Sequence, residues 1–354
     1  MESIMGAGIV AESRPATVVP LPRRAAPLLD DHPLQPHGPR WHPAGMSNPA
    51  PAAWSPRYAC DIGPHVFPTA KYAGVFRALV ASGDLSDDAV SLEPPPVTRA
   101  LLAAAHEDAY LDDLAALRWT PRTQYSELPL TREIVDAFAL AASGTTHAAR
   151  LALQHGAAAH LGGGLHHAHA GHAEGFCYLN DLAVAAGVLL HEARVRRIAV
   201  VDLDVHQGNG TAHIFRDQPA VFTLSLHQEN NYPVPKQRSD LDVGLEDGTG
   251  DDGYLAALAP ALEQVWAFAP ELVLYQAGAD VYAEDQLGGL RLTFTGIEAR
   301  DRAVIDGCAR RGIPVATTLG GGYARELEDT VRIHATTSRL ALAVARRGTL
   351  GARA

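Results

Sequence analysis

Residues 197–203 (RIAVVDL) form a near-continuous apolar run closed by an aspartate and a leucine, and this narrows the possible folds more than any other feature. A strand exposed on one face alternates apolar and polar residues. A run without alternation belongs to a strand buried on both faces, the habit of parallel sheets covered by helices. Residues 221–226 (VFTLSL), 272–276 (LVLYQ) and 314–319 (PVATTL) read the same way. Around them lie helical stretches at 67–82, 131–154, 180–194, 253–268, 295–311 and 326–346; in the first two the apolar spacing is about 3.6 and the end falls near glycine. Strands alternating with helices predict an α/β fold with a mostly parallel central sheet flanked by helices on both faces. No internal repeat or second linker interrupts the pattern, so residues 56–350 are expected to form one domain.

Residues 1–55 differ in texture. Prolines recur from Pro15 to Pro51 without a sustained apolar period, and such a segment cannot bury enough surface to offset its ordering entropy. A flexible extension is expected there, with Met46 a candidate alternative start. The net charge of -11 argues against a non-specific grip on nucleic acid, which needs phosphate neutralisation. Cys60, Cys177 and Cys308 are odd in number and widely spaced, so a disulfide framework is not expected. No apolar run approaches the roughly 18–20 residues of a bilayer span. The N-terminus shows no charged segment leading into an apolar core, so a cytoplasmic location is expected.

In open α/β sheets the functional crevice lies beyond the carboxyl ends of the strands. Polar groups gather at four such places: Asp202 to Gly210, Ala277 to Asp280, Gly320 to Tyr323, and the loop from Gly162 through His166 and His167 to Asp181. Asp204 and His206 are two apart and face the same way in an extended segment. With Asp280 they would make a site of two carboxylates and one imidazole with open positions, suited to catalytic zinc and also to Fe2+, Co2+ or Mn2+. Taken alone, Asp-x-Asp-x-His is as readily a strand end that caps a helix. The His166-His167 pair follows three glycines, and imidazoles suit proton transfer in both directions. His155, His160, His169, His172 and His191 nearby are read as solvated or structural. Tyr323 places a phenol where it can meet a developing oxyanion, although in isolation the motif reads as a turn with a half-buried tyrosine.

Together these residues resemble the metal-dependent histone deacetylases and their bacterial relatives, of the arginase–deacetylase fold. The matching segments are 165–168 (LHHA), 175–181 (GFCYLND), 201–210 (VDLDVHQGNG), 276–280 (QAGAD) and 319–323 (LGGGY), in that order and across most of residues 58–345. Residues 207–209 (QGN) and 285–290 (DQLGGL) look most like the class IV branch and its bacterial cousins.

The resemblance implies roles. Asp204, His206 and Asp280 would bind Zn2+, His166 and His167 would move protons, and Tyr323 would hydrogen-bond the carbonyl oxygen. Asp202 would orient His166. Its backbone, with Asp204, His206, Ser225 and Leu226, would resemble the family's structural potassium site. Asn209 stands where several relatives have an aspartate beside the second histidine, and a neutral partner should keep that imidazole's pKa lower. Gly175, Phe176 and Gly321 would line a narrow substrate channel, with Tyr232 in the rim stretch 226–244 as a candidate second wall or a solvated loop residue. The expected substrate is an acyl-lysine protein or peptide, acetyl by default, or a small N-acyl amine such as an acetylpolyamine; class IV relatives are associated with long acyl chains. The acidic stretch 240–252 would suit a cationic substrate, though such runs are more often solvated faces. A non-catalytic acyl-lysine reader is the rival of a different class. A binuclear manganese amidinohydrolase is disfavoured because Gln207 and Gly208 follow His206.

Overall fold

Parallel strands cannot be joined by tight hairpins, so each must be followed by a crossover segment that covers a face of the sheet. The computed structural model, which describes residues 50–88 and 92–351, has this form. The strands are β1 (Ala52–Ala53), β2 (Ala157–His160), β3 (Ile198–Asp202), β4 (Val221–Gln228), β5 (Leu241–Leu245), β6 (Leu272–Gln276) and β7 (Val315–Thr318). They lie in the order β1-β2-β7-β6-β3-β4-β5, and every pairing is parallel. The helices are α1 (Ala70–Ala81), α2 (Arg99–Leu102), α3 (Asp108–Ala115), α4 (Arg132–His155), α5 (Asp181–His191), α6 (Asn209–Phe215), α7 (Asp251–Ala267), α8 (Phe294–Arg311) and α9 (Leu327–Gly351). Among the described residues no helix is long and apolar enough to cross a membrane.

The central strands are buried on both sides. Ala199 and Val201 of β3 join one cluster with Leu258 and Val265 of α7, Ile297 and Val304 of α8 and Ile333 of α9. Ile198 and Val200 join another with Ala148 and Ala152 of α4 and Leu182 and Ala186 of α5. β6 divides in the same way, Val273 and Tyr275 against Leu272 and Leu274. Each fully buried leucine, valine or isoleucine stabilises the fold by about 1.5–3 kcal/mol. A third cluster, from Val75, Leu79, Tyr110, Leu111, Ile134 and Phe138, packs with Leu165 and Tyr178 of the loop before α5 and with Tyr323 of the loop after β7.

Some elements depart from expectation. Ala157–His160 carries no β-branched residue and is not among the strands expected from the sequence. Gly156, at φ 81, ends α4, and pairing with β7 makes the next four residues a strand. The domain was expected to begin at residue 56, but Ala52–Ala53 pairs with β2 and is buried, so the sheet starts earlier. Most of the expected flexible extension, residues 1–49, lies outside the described residues. The stretch 226–244 comprises the end of β4, a loop bearing Tyr232, and the start of β5.

Candidate catalytic metal centre

The strand order reverses at β3: the chain runs outward through β4 and β5, then returns to β6 on the other side of β3. A crevice opens at such a switch point beyond the carboxyl ends. The segment after β3 supplies Asp204 and His206, and the loop after β6 supplies Asp280. Their donor atoms converge within 4.8 Å of one another, all three residues buried. His206 Nδ1 stands 3.1 Å from Asp204 Oδ1 and 3.3 Å from Asp280 Oδ2.

Three observations fit this cluster to a divalent cation. Around an ion held at about 2.1 Å, neighbouring ligand atoms stand about 3.0–3.5 Å apart, which matches the two spacings. Asp280 Oδ1 accepts from the Val205 amide at 2.9 Å, whereas Oδ2 is buried without a hydrogen-bond partner. The backbone also leaves room: a Cβ on Gly321 would lie 1.9 Å from Asp280 Oδ2, and one on Gly278 2.4 Å from Asp204 Oδ2. The electrostatics agree. Burial would lower the pKa of His206, but the adjacent Asp204 and Asp280 carboxylates outweigh it and raise it to about 10. Burial, with Asp204 adding to it, pushes Asp280 up to about 7. The cluster demands positive charge.

The histidine pair sits beside it. His166 Nδ1 meets Asp202 Oδ2 at 2.7 Å, His167 Nδ1 meets Asn209 Oδ1 at 2.7 Å, and the two Nε2 atoms are 3.1 Å apart. Both Nδ1 atoms therefore carry protons, and a single proton fits between the Nε2 atoms. Burial alone would lower His166, yet the Asp202 and Asp204 carboxylates raise it to about 9. Burial, with His166 and His206 adding to it, drives His167 well below the usual imidazole range. Environments that push two titratable groups apart divide acid from base.

Glu174, which the sequence reading passed over, decides the orientation of Asn209. Asn209 Nδ2 donates to Glu174 Oε1 at 2.6 Å, turning Oδ1 towards His167. The Tyr232 hydroxyl donates to the same carboxylate oxygen at 2.8 Å, and the Tyr232 ring meets His167 edge-on with centroids 4.9 Å apart. Tyr232 thus lies against His167 rather than out in a solvated loop. Phe176 faces Tyr323 at 6.2 Å, with Phe67 and His65 packed behind it. Gly175 lies against His167, where a Cβ would come within 2.6 Å of the ring, while Gly321 sits against the Asp280 and Asp204 carboxylates.

Tyr323 is buried, and burial together with Asp280 and Asp204 holds its phenol well above the usual range, so it stays a neutral donor. Its loop is fastened by Asp285 and Lys71, and Gln276 ties the neighbouring glycine loop to Asp204. Asp285 accepts from the Tyr323, Leu287 and Gly288 amides at 2.7, 2.9 and 2.9 Å. Buried Lys71, from α1, donates to the Gly320 carbonyl at 2.6 Å. Gln276 donates to Gly164 O at 2.9 Å and Asp204 Oδ2 at 3.3 Å. Ser225 pairs in register with Asp202, and Leu226 follows it into the buried core. The acidic stretch is largely engaged with its own chain: Asp240 accepts from Thr223, Asp242 from Gln207 and Ser239, and Asp247 from Gln228.

Comparison with known proteins adds independent findings. The histone deacetylase domain model matches residues 65–338. The chain is 42% identical over 294 residues to an uncharacterized protein of Picosynechococcus sp., covering 82% of this chain and 98% of that one. It is 31% identical over 282 residues to histone deacetylase 2 of Arabidopsis thaliana, covering 75% and 73%. It is 32% identical over 266 residues to histone deacetylase 8 of Xenopus laevis, covering 68% and 79%. Two solved structures share the fold. One is an acetylpolyamine aminohydrolase from Burkholderia pseudomallei, with TM-score 0.67, 22% identity and coverage of 81% and 96%. The other is the HDA15 HD domain, with TM-score 0.69, 23% identity and coverage of 85% and 92%.

Proposed function

The chain belongs to the histone deacetylase family, and on that premise we propose that it is a zinc-dependent amidohydrolase that removes an acyl group, acetyl by default, from the side-chain amine of lysine or a similar N-acyl amine. The observation that carries the reading is the convergence of Asp204, His206 and Asp280 beside a histidine pair whose outer nitrogens are held by Asp202 and Asn209. When bound, Zn2+, or Fe2+ or Co2+ in its place, supplies Lewis-acid polarisation of the scissile carbonyl and a lowered pKa for the attacking water.

The chain's own residues do the rest. His167, with its Nδ1 proton committed to Asn209, presents Nε2 to take a proton from the water. Tyr323 donates its hydroxyl to the carbonyl oxygen as negative charge develops there. His166, held by Asp202, returns a proton to the leaving amine, and an amine and a carboxylate depart. Phe176, Tyr232 and Gly175 flank the path of an extended acyl-amine arm. A K+ ion at the Asp202, Asp204 and His206 backbone with Ser225 and Leu226 belongs to the same reading, supported by the pairing of Asp202 with Ser225. Residues 207–209 and 285–290 support a place near the class IV branch, and the chemistry suits a cytoplasmic enzyme.

The decisive experiment is turnover of an acetyl-lysine peptide, its octanoyl and myristoyl versions and N-acetylputrescine by zinc-loaded protein, each with and without a chelator and a hydroxamate. Chelator-sensitive release from a lysine peptide is expected. Preference for N-acetylputrescine would move the substrate to the acetylpolyamines, and preference for myristoyl to long-chain acyl-lysine. Absence of release from all four, with metal bound, would favour the non-catalytic acyl-lysine reader.

A further inference from the structure

Three ligand atoms converge a second time, outside the catalytic centre. His169 Nε2 lies 3.2 Å and His172 Nε2 3.4 Å from Glu174 Oε2, and the three atoms fall within 4.8 Å of one another. These spacings match those between His206 and its two carboxylates, 3.1 and 3.3 Å. We propose that His169, His172 and Glu174 form a second, solvent-reachable site for a borderline divalent cation of the zinc class.

Local structure builds the cluster. The His169 amide donates to the His172 carbonyl at 2.9 Å, and the tight turn stacks the two rings, centroids 4.3 Å apart and 14° from parallel. Their Nε2 edges therefore face one carboxylate oxygen together. A third imidazole, His213, lies 4.8 Å from the His169 ring. His169 is buried, while the His172 and Glu174 side chains are 39% and 23% exposed, so an ion reaches the site from solvent.

Hydrogen bonding alone leaves the cluster unsettled. Asn209 Nδ2 points one proton at Glu174 Oε1, at 2.6 Å, and lies 3.3 Å from His169 Nε2. His169 Nε2 carries either a lone pair or a proton, so it either accepts from that amide or donates to Glu174 Oε2, and not both. His169 Nδ1, on the far side of the ring, is buried without a partner. A cation among the three atoms would take the lone pairs of both imidazoles and one Glu174 oxygen, and a set of two imidazoles with one carboxylate suits zinc, cobalt, nickel and copper better than calcium or magnesium, which prefer all-oxygen ligands. Glu174 Oε1 stays with Asn209 and Tyr232, so the second site lies two hydrogen bonds from His167.

The test counts metal. Full-length chain stripped by chelator is dialysed against zinc, and bound metal is measured by atomic emission. Four proteins are compared: wild type, the Asp204→Asn/Asp280→Asn double variant, His172→Ala, and the three changes combined. Two equivalents, one, one and none are expected. Saturation of wild type at a single equivalent that the double variant loses would overturn the proposal, as would a second equivalent that survives His172→Ala. Cobalt in the double variant gives a readout that does not depend on how His172→Ala folds. The imidazole resonances of His169 and His172 should shift paramagnetically, and unshifted resonances refute the site. The second equivalent is counted whether or not the chain cleaves any amide, so its failure and that of the activity reading are separable.

Discussion

At the centre, individual residues solve one problem: several charges are buried together, and each is held by a named donor. Tyr323 supplies the one phenol facing the ligands from the glycine loop. Its replacement by phenylalanine should lower kcat by about 10²–10³-fold, the range for losing one oxyanion donor, with zinc content unchanged. Equal kcat for the two proteins would remove Tyr323 from the reaction. Glu174 acts through another residue. Without its carboxylate the Asn209 amide is free to turn its NH2 towards His167 and favour the wrong tautomer. Glu174→Ala should therefore lower kcat by about tenfold or more, on the scale of lost supporting contacts, and distort its pH profile. Glu174→Gln keeps an acceptor for Asn209 and should restore much of the rate. Equal loss in both variants would make Glu174 merely structural. The sequence motifs pointed to Asp204, His206, Asp280 and the histidine pair because their spacing is local. Glu174, Asp285, Gln276 and Lys71 lack that advantage, since Glu174 meets Asn209, Asp285 meets Tyr323, Gln276 meets Gly164 and Lys71 meets Gly320, each 35 or more residues away.

At the scale of elements, the glycine loop after β7 matters because backbone approaches the ligands there. Gly321→Ala would place a methyl where Asp280 Oδ2 lies, 1.9 Å away. It should release metal, and a dialysis measurement showing wild-type zinc occupancy would contradict that placement. The entry to α5 carries a different sensitivity. His106 Nε2 accepts the Asn180 amide at 3.0 Å while Nδ1 donates to the His169 carbonyl at 3.0 Å, so both ring nitrogens are used by the neutral form. Asn180 in turn caps α5 by accepting from Ala183 at 2.9 Å. Burial pushes His106 down to about 4, against 6.5 when solvated. The unfolded chain thus takes up this proton near pH 6.5 and the folded chain only near pH 4. Stability from His106 is complete above pH 6.5 and lost as pH falls to about 4, a loss on the order of 3 kcal/mol. Urea titrations across that window should show it, and a flat midpoint would contradict it. Helices such as α1 and α4 were legible from their apolar period and the glycines near their ends. β2 was not, because four residues of alanine and histidine have no strand preference without β7 beside them.

For the molecule as a whole, a metal that binds only the folded chain links site and stability. At ligand concentrations about 100 times Kd, the linkage is worth about 2.7 kcal/mol, enough to raise Tm by several degrees. Chelation should lower Tm by that amount in wild type and leave the Asp204→Asn/Asp280→Asn variant unmoved in its catalytic-site component. An unchanged wild-type Tm would mean that the centre holds no metal in the folded chain. The buried strands, the helices between them and the ordered motifs at the strand ends could be read from the chain itself, since apolar period and local spacing are properties of neighbouring residues. Other features needed the folded chain: the reversal of strand order at β3, the early start of the sheet at Ala52, and the hydrogen-bonded path from His167 through Asn209 to Glu174. These depend on which distant segments pack together, and a linear pattern carries no record of the partner that a buried polar atom finds across the fold.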